Sequence, residues 1–98
     1  MTTKPLPTIG AAMPISELAK YHTWLISGQR DLELQDATTP EVLDGDWKAL
    51  VQQAKLLLDG HTGRLGIHGP FSSLTLLARD PKIRAVVTDR LRQGVDFA

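Results

Sequence analysis

The sequence contains no cysteine. That excludes a disulfide framework and any thiolate nucleophile or metal ligand, and it fits a cytoplasmic protein. Charge of one sign is also lacking, since Lys plus Arg and Asp plus Glu number 11 each. A chain without a net field exerts no long-range pull on nucleic acid or on an anionic membrane surface. Arg79, Lys82, Arg84, Arg90 and Arg92 do cluster late in the chain. Asp80, Asp89 and Asp96 are interleaved with them, as on a solvated helix face. No apolar run approaches the ~18 residues that a membrane-spanning helix needs, so no membrane partner is expected. Met1-Thr2-Thr3-Lys4-Pro5-Leu6-Pro7 lacks the apolar core of a signal peptide, and residues 1–7 read as a flexible start. The length of 98 residues allows one domain and no more.

What is present begins with Arg64-Leu65-Gly66-Ile67-His68-Gly69-Pro70-Phe71. It reads as a short buried strand that stops at Gly69-Pro70 with a histidine in its last position. Leu65 and Ile67 share one face by the two-residue period, and Gly66 and His68 share the other. The carboxyl end of such a strand is where α/β sheets place their ligand sites. A second strand, Asp31-Leu32-Glu33-Leu34-Gln35-Asp36, matches it. Its leucines point one way, Glu33 and Gln35 the other, and Asp36 stands at the exit. With the leucines against helices, Glu33, Gln35 and His68 all look towards the opposite side. A polar face on an apolar sheet is costly unless its groups find partners or water, as they do in a barrel lumen or ligand cleft. An edge strand with its polar side in water would give the same pattern and needs no function.

The remaining elements alternate with these strands. Thr8-Ile9-Gly10-Ala11-Ala12-Met13 is the first strand. A helix follows with Ser16 as N-cap and Leu18, Tyr21 and Leu25 on its apolar face, widened by Trp24 and Ile26, to stop at Gly28. Asp44-Gly45-Asp46 supplies acidic caps to a second helix. Its stripe of Trp47, Leu50, Val51, Ala54, Leu57 and Leu58 must face a core, because burying each large member contributes roughly 1.5–3 kcal/mol. His61 lies in the next turn and is expected to be exposed. After a loop from Phe71 to Ala78, Asp80-Pro81 opens a last helix with Ile83, Val86, Val87 and Leu91 as its buried face, a pattern that Phe97 extends.

Strand and helix therefore alternate three times, which argues a parallel α/β sheet. Three strands leave two open edges and one uncovered face. A closed eight-stranded barrel takes about 250 residues. The chain is thus either a small three-layer domain or the opening of a larger barrel, and an ending inside an apolar helix favours the second.

Three stretches, Asp31 to Asp36, the linker Thr39 to Trp47, and Gly66-Ile67-His68-Gly69-Pro70-Phe71, resemble the amino-terminal part of the xylose-isomerase-like barrel family. That group comprises sugar-phosphate isomerases and epimerases related to endonuclease IV. Ala78-Arg79-Asp80-Pro81 and the helix through Ala98 look like its third helix. The resemblance implies an α/β fold in which residues 1–98 form a single partial domain, a βαβαβα segment opening a (β/α)8 TIM barrel. It also implies a divalent-metal enzyme (Mn, Zn, Mg or Co) that moves a proton between adjacent carbons of a sugar or keto-sugar. His68 falls on the family's third-strand histidine, which lines the pocket and binds zinc in the nuclease branch. It is the candidate metal ligand and, with Glu33 and Gln35, a candidate substrate contact. Glu33 takes the family's inward acidic position on the second strand.

The metal-bearing later strands have no counterpart here. One imidazole does not hold a catalytic metal, since zinc or manganese sites need three or more protein ligands, and the chain has no His-x-x-x-His. No metal is expected to be held by this chain alone, and its partners are the remainder of the barrel or further copies of itself. Two other functions are compatible with the pattern. One is an endonuclease IV-like fragment acting on abasic sites, which the neutral charge and the unbasic Phe71–Ala78 loop disfavour. The other is a non-catalytic α/β module that associates through open sheet edges.

Overall fold

The computed structural model describes residues 8–98, so the expected flexible start at 1–7 lies outside the described residues. Three short strands, β1 (Ala11–Met13), β2 (Leu32–Leu34) and β3 (Leu65–Ile67), lie side by side in chain order. Both pairings are parallel, with Ala11, Leu32 and Leu65 in one row, Ala12, Glu33 and Gly66 in the next, and Met13, Leu34 and Ile67 in the third. Parallel neighbours need a crossover between them. Helix α1 (Leu18–Ser27) supplies the first crossover, and α2 (Pro40–Asp44) with α3 (Trp47–Leu57) supplies the second. Helix α4 (Pro81–Phe97) follows β3. The protein is a mixed α/β chain built on a three-stranded parallel sheet.

The alternation of β2 sorts its side chains as the sequence predicts. Leu32 and Leu34 are buried, and Met13, Ile15, Leu18, Leu25, Leu43, Ala54 and Phe97 close the same core around them. The α3 stripe of Trp47, Leu50, Val51, Leu57 and Leu58 packs half-buried against it. Leu65 lies on the same side by register yet remains 55% exposed, because β3 is an edge strand with no neighbour beyond it.

Several local expectations are corrected. The strands are shorter than the apolar segments that contain them. Ser16 does not cap α1: Ile15–Glu17 forms a 3-10 turn, the helix starts at Leu18, and its N-cap position, Glu17, makes no side-chain capping bond. The Asp36 carboxylate at the end of β2 instead accepts the Ile15 N–H at 2.8 Å, so an acid far along the chain does the capping. Tyr21 and Trp24 stand on the surface, 41% and 38% exposed, because β1 is the opposite sheet edge and, among the described residues, no element packs beside it. The segment read as a linker contains α2, started by Pro40 at its first turn. Asp46 caps α3 by accepting the Ala49 N–H at 3.3 Å, and Asp80 caps α4 by accepting that of Lys82 at 2.9 Å.

The buried face of α4 is rotated from the one expected. Val87, Gly94 and Phe97 are buried, whereas Ile83, Val86, Leu91 and Val95 are exposed. Three contacts set that rotation. Arg90 makes a two-pronged ion pair with Asp44 on α2, at 2.6 and 3.0 Å. Phe97 packs on Trp47 with ring centroids 5.9 Å apart. Gly94 lies against Pro70 so closely that an added Cβ would sit 2.6 Å from the ring's Cδ. Periodicity shows that a helix has an apolar stripe; specific partners decide which stripe turns inward.

Candidate functional site

The side of the sheet opposite the helices carries the row Ala12, Glu33, Gly66. Two small residues flank Glu33, and a Cβ built on Gly66 would meet nothing within 4 Å. The half-buried Glu33 carboxylate therefore rises from a nearly bare strip of backbone. A shallow groove of about 530 Å³ crosses this strip, reaching from Ala12 past Glu33 to Asp31 and Arg64 at the amino ends of the strands.

His68 stands one residue beyond β3. Its backbone N–H donates to the Leu34 carbonyl at 2.8 Å, which extends the parallel ladder and brings it beside Gln35. Its ring Nδ1 donates to the Gly69 carbonyl at 2.9 Å. A carbonyl oxygen only accepts, so that bond keeps a proton on Nδ1. Phe71 lies against the imidazole, with centroids 4.6 Å apart and an interplanar angle of 42°. The ring is half-buried, so it keeps an open side.

Gln35 fits the expected face less well. Its dihedrals are helical, φ −101° and ψ −1°, so strand geometry stops at Leu34. Its carbonyl accepts the Thr38 hydroxyl at 2.7 Å, which commits Gln35 to the turn that leaves the sheet. The register thus joins Gln35 to His68 at the carboxyl edge and places Glu33 two residues back, about 7 Å along the strand. Glu33 lines the groove; His68 lies beyond it.

Charged pairs elsewhere brace the elements that carry this face. Arg64 donates to both oxygens of Asp31, from its backbone N–H and Nε at 2.9 Å each and from its NH2 at 2.7 Å. That guanidinium lowers the Asp31 carboxyl below its ordinary range. Asp44 is lowered in the same way by hydrogen bonds from Arg90 and Gln93. His61, expected to be exposed, is half-buried and donates from Nε2 to the Arg30 carbonyl. Sequence reasoning missed all three pairs, because their partners lie 31 to 46 residues apart.

No three His, Asp or Glu side chains converge among the described residues. His68 offers one free nitrogen, and Glu33 stands in a different part of the face.

Comparison with family models, curated proteins and solved structures yields no match. The site must be judged on its own geometry. Among the described residues, no helix is long and apolar enough to cross a membrane.

Proposed function

We propose that the chain is the opening βαβαβα segment of a (β/α)8 barrel of the xylose-isomerase-like kind. It would be the amino-terminal portion of a divalent-metal-dependent sugar-phosphate isomerase or epimerase, inactive by itself and cytoplasmic. His68, Glu33 and Gln35 would contribute to the sugar-binding wall, while later strands would supply the metal and the acid–base pair. The observation that carries this is the sheet itself: three parallel strands in chain order, helices on one side, and on the other a strip with Glu33 between two small residues and His68 at the carboxyl edge. A small domain closed on both faces would have no reason to leave that strip bare. In a barrel the strip becomes lumen, where side chains of opposing strands fill the space above Ala12 and Gly66.

Nuclear magnetic resonance on the ¹⁵N-labelled 98-residue chain tests the proposal. Titration with a panel of keto-sugars and their phosphates should shift the His68 ring signals and the Glu33 and Gln35 amides, at millimolar ligand, and His68→Ala should abolish the shifts. The same samples supplied with Mn²⁺ or Zn²⁺ should show no isomerase turnover. Unchanged His68 and Glu33 signals across the panel would refute the sugar wall. Turnover that vanishes with His68→Ala would refute the assignment of chemistry to later strands.

A further inference from the structure

The imidazole of His68 is held by the peptide unit that follows it. Its Nδ1 donates to the Gly69 carbonyl at 2.9 Å, and the carbon of that carbonyl is bonded to the nitrogen of Pro70. The amide is planar and trans, so the Gly69 oxygen and the Pro70 Cδ lie on opposite sides of one C–N bond and move as a rigid unit. Whatever fixes the proline ring therefore fixes the oxygen to which the imidazole donates.

Helix α4 fixes that ring. Pro70 is buried, and so is Gly94, the residue on which it rests. A Cβ built on Gly94 would sit 2.6 Å from Cδ of Pro70 and 3.3 Å from Cγ, so the seat exists because the helix has a glycine there. The helix is itself anchored on both sides of Gly94. Arg90 is paired with Asp44 of α2, and Phe97 packs on Trp47 of α3. From the sheet side, the His68 N–H is bound to the Leu34 carbonyl at 2.8 Å. The histidine thus spans from a main chain fixed by β2 to a carbonyl fixed by α4.

We propose that Gly94 is a positioning residue for His68: through the Pro70 ring it holds the Gly69 carbonyl where the Nδ1–H tautomer of the imidazole meets it. In a neutral imidazole one nitrogen donates and the other accepts, so a proton kept on Nδ1 makes Nε2 the accepting nitrogen. A group behind a functional histidine commonly sets its tautomer and direction in this way. Phe71, the residue after Pro70, lies against the same ring at 4.6 Å and is carried by the same seat. That Nε2 meets a sugar rests on the function proposed above. The tautomer does not, and it can be read without any sugar.

Long-range ¹⁵N–¹H spectra of the histidine rings separate protonated from bare ring nitrogens. They are recorded on the 98-residue chain at about pH 9, where histidine side chains are ordinarily neutral. His61 is the internal reference, because its Nε2 donates to the Arg30 carbonyl and its proton belongs on the opposite nitrogen. His68 should show the Nδ1–H form and His61 the Nε2–H form. In Gly94→Ala the methyl should displace the Gly69–Pro70 amide, and the ratio of Nδ1–H to Nε2–H at His68 should fall severalfold while His61 is unchanged. Pro70→Ala should lower the ratio too, by emptying the seat. The double variant, whose new methyl occupies the space that Cδ leaves, should restore it. Circular dichroism identifies the folded variants; should Gly94→Ala not fold, Pro70→Ala and the double variant decide alone. A His68 ring in the Nε2–H form in the unaltered chain would overturn the proposal. So would a folded Gly94→Ala with an unchanged ring, or a loss that the double variant does not repair. A ring that behaves as described yet ignores every keto-sugar would uphold the role of Gly94 and refute only the sugar wall.

Discussion

Replacing Leu25 with alanine should come close to unfolding the chain. Leu25 is 1% exposed and belongs to the single core, facing the sheet from α1. Truncating such a leucine costs the transfer free energy of the lost methylenes and leaves a cavity, about 2–5 kcal/mol in all. A domain of this size has roughly 5–15 kcal/mol of total stability, and one covered on a single face of its sheet belongs near the low end. The melting temperature should fall by at least about 10 °C, at the rate of roughly 4–8 °C per kcal/mol. Leu56→Ala is the control: Leu56 is 80% exposed on the outer side of α3, and its loss should stay within ~0.5 kcal/mol. Urea melts of both variants decide the matter. Equal effects would mean that the core is not where α1 meets the sheet.

Gly94→Ala should also destabilise, against the ordinary trend for helices. In an exposed helix interior, glycine to alanine gains roughly 1 kcal/mol. Here the new methyl would sit 2.6 Å from Cδ of Pro70, on a ring that does not rotate away. Overpacking of that kind costs about 1–3 kcal/mol, so the net loss should be up to ~2 kcal/mol. Gly66→Ala, where nothing lies within 4 Å, should show no such clash. Denaturant unfolding of the two variants side by side checks the contrast, and a stabilised Gly94→Ala would mean that α4 does not rest on Pro70.

The sheet was legible in the sequence to the extent that alternation determines it. Leu32-Glu33-Leu34 and Leu65-Gly66-Ile67 each carry a two-residue period, and a period plus the alternation of elements suffices to predict parallel strands in chain order. The capping aspartates at 46 and 80 were legible as well, because a cap acts within its own turn. What was not legible depends on partners distant in sequence. Val87 and Phe97 are buried as the pattern predicts, but nothing local marks Asp36 as the acceptor for Ile15, or directs α4 to bury Gly94 and expose Ile83, Val86 and Leu91. Residues 39–47 looked like a linker because α2 is a five-residue helix, too short for periodicity to register.

The candidate site divides along the same line. Glu33 and His68 are positioned by the strand period, which the sequence displays. Gln35 follows the backbone of a turn, and the 3-10 turn after β2 begins one residue sooner than an unbroken strand through Asp36 would require. That early turn is what separates its alignment from that of Glu33.

The bond from the Ile15 amide to the Asp36 carboxylate has a bearing on how the chain comes apart. It ties the exits of β1 and β2 together and closes a loop from Ile15 to Asp36 that holds α1 and β2, its ends 21 positions apart. Ile15, Leu18 and Leu25, the most deeply buried large side chains, all lie inside that loop. β3 is an exposed edge, and the first half of α4 buries little before Val87. Opening free energies follow the density of buried contacts, so the molecule has a graded interior. β3 and the start of α4 should therefore exchange their amide protons soonest, and the first βαβ turn last, which hydrogen exchange followed residue by residue would read directly.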